Sequence, residues 1–140
     1  MTDLLDLYGL AEEHGTEVYW FDLGTAESLS LPLEDGSCAI AMDPWRMSTL
    51  ADEKVKLAHE LGHCETGAFY NRYAARDIRQ KYENQANKWA YKKLVPQDEL
   101  VEACLQGYRE PWELAEYFGV TEDFLRGALK YYQERDYIVT

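Results

Sequence analysis

The run His59-Glu60-Leu61-Gly62-His63 constrains this chain more than any other feature. On a helix, two histidines four residues apart lie about 40° apart around the axis, so both rings can meet one ion. Zinc accepts neutral imidazole nitrogen, and a catalytic site combines three protein ligands with one open position for water. Glu60 lies about 60° round the same helix from His63. It can therefore reach that water without binding the metal, which is the arrangement needed for a glutamate general base. Leu50, Leu57, Leu61 and Cys64 form an apolar stripe opposite the histidine pair. That stripe takes the core-facing role and leaves the histidine face for a cleft.

One helix cannot surround an ion, so a third ligand is expected from another element. Glu83, on the next predicted helix, returns opposite the histidines if the two helices form a hairpin with its loop near Phe69–Tyr73. Asn87, four residues later on the same face, is placed to orient one histidine through its second ring nitrogen. Glu65 and Asp77 are competing carboxylates, but each reads better as a solvated surface charge. His14 has no partner pattern and reads as a surface or hydrogen-bonded core histidine.

Around this helix the pattern is α+β. Leu4, Leu7, Leu10 and Ala11 recur at helical spacing within residues 3–14, and Gly15 is a natural stop. Residues 17–21 and 38–42 read as strands, with a short apolar run at 29–33 between them. The Asp35-Gly36 turn signal favours an antiparallel hairpin, giving an N-terminal helix and a small antiparallel sheet. Beyond Ser48 the chain reads as helices throughout: from Ser48 or Thr49 to Thr66, then 74–94, 97–106, 111–118 and 121–133. We expect a single domain over 1–140, with a catalytic core at 15–96 and a C-terminal helical portion at 97–140.

The last helix pair, around Gly119-Val120-Thr121, mimics a helix-turn-helix. Its second helix would offer Glu122 and Asp123 to phosphates, which repel it, so we read a packing unit and not a DNA reader. The whole chain carries 14 Lys and Arg against 26 Asp and Glu, a net charge of −12, which argues against direct nucleic-acid binding. No apolar run approaches the length of a membrane span, and the N-terminus shows no signal-peptide pattern. Cys38, Cys64 and Cys104 are widely spaced without a CxxC pair, and are expected to be reduced, buried thiols in a cytoplasm.

Three blocks in order carry a family resemblance: His59–Tyr70, Glu83-Asn84-Gln85-Ala86-Asn87-Lys88-Trp89-Ala90, and Leu94-Val95-Pro96. Together they resemble the ImmA/IrrE metallopeptidases, bacterial proteins often carried on phages and mobile elements. The resemblance implies a zincin-like fold, with one zinc held by His59, His63 and Glu83, and Glu60 as the general base. It also implies an endopeptidase whose protein substrate is a basic helix-turn-helix repressor encoded nearby, a partner that an acidic surface would suit. Tyr70 and Tyr73, just beyond the helix, are candidate donors to the oxyanion, with packing as the default role. The strand 38–42 is a candidate edge for backbone pairing with an extended substrate. The competing reading is a catalytically silent zinc-binding module that sequesters its partner, or an antitoxin.

Overall fold

The computed structural model describes residues 1–135. Helix α1 (Leu4–Glu13) starts at a capping box in which Asp3 and Asp6 each accept from the other's backbone N–H. Leu7 and Ala11 are its buried face. Three strands follow, β1 (Glu17–Trp20), β2 (Ser28–Pro32) and β3 (Cys38–Met42), then a 3-10 turn at Pro44–Arg46. The remaining elements are α2 (Leu50–Thr66), α3 (Arg76–Leu94), α4 (Gln97–Leu105), α5 (Pro111–Phe118) and α6 (Glu122–Arg135).

Strands β2 and β3 form the expected antiparallel hairpin, turning at Asp35-Gly36, where Gly36 has φ +90°. Asp35 Oδ1 accepts from the Ser37 N–H and fixes the turn. The strand order is β1-β3-β2, and β1 runs parallel to β3, so the sheet is mixed and not purely antiparallel. The reason lies in β3. Its residues Cys-Ala-Ile-Ala-Met are almost wholly apolar, with Ile40 and Met42 fully buried, and such a strand is most stable with a neighbour on each side. The connection after β1 is long enough to bring β2 to the far side of β3.

Thr49 caps α2 by accepting from the Asp52 N–H, and Gly67 ends it in the left-handed conformation at φ +69°. Of the stripe expected to face the core, Leu57 and Leu61 are fully buried and Cys64 is partly so. Leu50 is instead 74% exposed, because it is the first residue of the helix and lies beyond the packed region. Lys54 is buried in its place, and its Nζ donates to the Phe118 carbonyl at 2.6 Å. That bond satisfies a carbonyl left open at the end of α5 and ties α2 to the C-terminal helices.

Helix α2 packs against β2 and β3 on one side and against α3 on another, while α6 braces α3. Within the brace, Tyr132 Oη donates to the Val95 carbonyl at 2.7 Å. Gly119, at φ +66°, and Thr121, which accepts from the Phe124 N–H, make the α5–α6 turn as its sequence suggests. One contiguous core runs through Leu7, Ile40, Leu57, Leu94, Phe118 and Leu125. Among the described residues no helix is long and apolar enough to cross a membrane.

Cys38 and Cys64 are joined by a disulfide, with their Cα atoms 5.8 Å apart. This corrects the expectation of reduced thiols at both positions. Sequence spacing could not reveal that the first residue of β3 faces the last turns of α2. Cys104 is a free, partly exposed thiol on α4.

Candidate metal centre

The site lies between α2 and α3, beside β2. The helices approach closely because Gly62 presents no side chain: a Cβ there would lie 2.5 Å from the Ala86 carbonyl oxygen. With the helices this near, Glu83 of α3 comes back over the histidine face of α2. One potential ligand atom from each of His59, His63 and Glu83 lies within 4.8 Å of the others. His59 Nε2 is 2.9 Å from Glu83 Oε1, and His63 Nε2 is 2.8 Å from Glu83 Oε2. The two imidazoles meet edge to face, their centroids 4.9 Å apart.

The other nitrogen of each ring is already engaged. His63 Nδ1 is 2.6 Å from the Ala68 carbonyl oxygen, which can only accept, so this nitrogen carries a hydrogen. His59 Nδ1 donates in the same way to Asn87 Oδ1 at 2.7 Å. Each neutral ring therefore turns the lone pair of Nε2 towards a carboxylate oxygen. Two such acceptors attract one another only through a shared cation, either a proton or a metal ion. This donor set, two imidazole nitrogens and one carboxylate, suits zinc.

The electrostatics agree. Burial alone would lower the pKa of His59 and His63, but hydrogen bonding and charge from Glu83 outweigh it and raise both. Hydrogen bonds from the two histidines hold the Glu83 carboxyl far below the usual carboxylate range, against the opposing effect of burial.

Glu60 is 6% exposed and lines the same cleft, whose volume is about 380 Å³. Ser28 Oγ donates to Glu60 Oε2 at 2.7 Å. Ser28, Leu29 and Ser30 of β2 line the cleft together with His63, Phe69 and Tyr70. The strand beside the site is thus β2, at the sheet edge. The expectation that 38–42 is the edge is overturned, since β3 is central and paired on both sides.

Tyr70 reaches the cleft. Burial and a hydrogen bond to Glu83 raise its pKa, and its ring stacks on Tyr82 with centroids 6.5 Å apart. Tyr73 does not reach it: it is 80% exposed and its ring lies under Arg72. Glu65 points away and pairs with His14, while Asp77 is exposed in the first turn of α3. Three contributors went unnoticed in the sequence: Ser28, Gly62 and the Ala68 carbonyl. Only Gly62 left a signal there, as a glycine inside a helix that disfavours it.

A helix carrying His-Glu-x-x-His, backed by a small sheet and met by a glutamate from a second helix, defines a zincin-like α+β domain. The chain belongs to the Peptidase_M78 family: the IrrE N-terminal-like domain model matches residues 11–130. Membership gives it a metallopeptidase-type function acting on protein. Neither the curated proteins nor the solved structures include a significant match.

Proposed function

We propose that this chain is a zinc-dependent endopeptidase. His59, His63 and Glu83 hold one zinc ion, and Glu60 is the general base. The observation that carries this reading is the convergence of both Nε2 atoms on one carboxylate while both Nδ1 atoms are engaged elsewhere. When bound, zinc supplies Lewis-acid activation of the attacking water and of the scissile carbonyl.

The protein's own residues supply the rest. Glu60, buried in the cleft lining, takes a proton from the attacking water and delivers it to the departing amine. Asn87 and the Ala68 carbonyl fix the tautomer and orientation of the two histidines. The Tyr70 hydroxyl, beside Glu83, is placed to donate to the oxygen that gains charge. Tyr73, 80% exposed, has no part in this reading. The free edge of β2 receives an extended segment of substrate by backbone pairing.

The substrate we infer is a basic helix-turn-helix repressor encoded nearby on a phage or mobile element, met in a bacterial cytoplasm. The net charge of −12 favours encounter with such a partner. The test uses purified protein and the neighbouring repressor. Wild type carries about one zinc per chain and produces a new N-terminus on the repressor. Glu60→Gln retains the zinc and produces none. Full cleavage by Glu60→Gln contradicts the base assignment, and a repressor bound but uncut by wild type would establish sequestration instead.

A further inference from the structure

A buried carboxylate that moves a proton must present one oxygen in a fixed direction, and a glutamate side chain does not do so unaided, because its terminal torsion is broad. In this protein the constraint comes from outside the helix. Ser28 is the first residue of β2, and its Oγ donates to Glu60 Oε2 at 2.7 Å. Its own backbone is held in the sheet. Ser28 pairs with Met42, and the next rung is the hydrogen bond from Asp43 N–H to the Glu27 carbonyl at 3.0 Å. Both Ser28 and Glu60 line the cleft, and Glu60 is 6% exposed, so solvent contributes little to its orientation.

We propose that Ser28 is a positioning residue for Glu60. Its hydroxyl engages one carboxylate oxygen and so directs the other to the proton in transit. The inference rests on the reading of Glu60 as general base, and it adds a coupling that reading does not contain. Ser28 belongs to the edge strand, so the strand that would seat a peptide also sets the base. A peptide drawn into register on β2 meets a carboxylate aligned from the same strand.

The test compares Ser28→Ala, Ser28→Thr and Glu60→Gln in zinc-loaded full-length protein, with a fluorescence-quenched peptide library as the activity probe. Ser28→Ala is expected to lower kcat about tenfold, a part of the contribution of a positioned base, with KM changed less than about twofold. Zinc content and Tm stay at the wild-type level. Ser28→Thr, which keeps the hydroxyl, restores kcat. A second readout needs no substrate: the infrared carboxylate stretch that disappears in Glu60→Gln shifts in Ser28→Ala and returns in Ser28→Thr. An unshifted stretch overturns the proposal, as does a kcat loss that Ser28→Thr does not restore or that follows zinc loss. If Glu60→Gln is inactive and Ser28→Ala is indistinguishable from wild type, only the role of Ser28 falls. If Glu60→Gln is active, the base reading falls with it.

Discussion

Gly62 lies so close to Ala86 that a Cβ on the glycine would sit 2.5 Å from the alanine carbonyl oxygen. Real side chains do not approach that near, so the α2–α3 spacing is set by a missing atom. Gly62→Ala should therefore push the helices apart. Alanine gains up to about 1 kcal/mol of helix propensity, but overpacking costs about 1–3 kcal/mol. Net destabilisation is expected, readable as a lower urea midpoint. Because Glu83 rides on α3, zinc affinity should fall by at least about tenfold. Competition with a chromophoric chelator measures it.

Lys54 ties α2, the helix of both histidines, to the C-terminal pair through the Phe118 carbonyl. Burial lowers its pKa, yet Asp3 and Asp6 partly restore the charged form. Lys54→Met removes the donor and leaves that carbonyl without it, a loss of about 1–3 kcal/mol. The methionine recovers some of this by keeping the apolar stem. We expect a net loss near 1 kcal/mol, seen as a lower urea midpoint, with zinc stoichiometry unchanged.

Proton and metal compete for the same nitrogens, with opposite pH dependence. In metal-stripped protein, His59 and His63 are raised above the ordinary value of 6.5. Their contribution is full below that value and is lost as pH rises through the folded pKa. Glu83 is lowered from 4.5, so its contribution is full above that value and lost as pH falls through its folded pKa. Stability of the stripped protein should thus peak between 4.5 and 6.5. The increment gained on adding zinc should instead grow as pH rises, because binding must displace the histidine protons. Thermal melts with and without zinc from about pH 3 to about pH 8.5, which brackets both ordinary values, check both signs.

The Cys38–Cys64 disulfide closes a loop with a sequence separation of 26. A crosslink over such a loop contributes about 3–4 kcal/mol in the chain-entropy account. Alkylation of unreduced, denatured protein should find one reactive thiol, Cys104, and reduction should lower Tm. Three reactive thiols before reduction would contradict the pairing.

The sequence made some of this legible and hid the rest for identifiable reasons. His59 and His63 were readable because helical geometry turns a spacing of four into a shared face. Glu83 and Asn87 followed from one more helix, since their own spacing repeats that logic. Other residues whose roles depend on contacts between elements, and which no repeated spacing marks, were hidden. Cys38 and Cys64 meet only after β3 packs on α2, and the parallel placement of β1 depends on which edge of β3 is left open. Ser28 stands just before the apolar run at 29–33 and has no pattern of its own. The Ala68 carbonyl could not be found at all, because a backbone acceptor has no side-chain signature.

The central claim is that one zinc sits on His59, His63 and Glu83 with a position left for water. X-ray absorption at the zinc edge of the loaded protein tests it directly. The account predicts two imidazole nitrogens and oxygen ligands at about 2.0–2.2 Å, with no sulfur. Glu83→Ala should lose oxygen scattering and zinc content together. Sulfur ligation, a third imidazole, or wild-type zinc content in Glu83→Ala would contradict it.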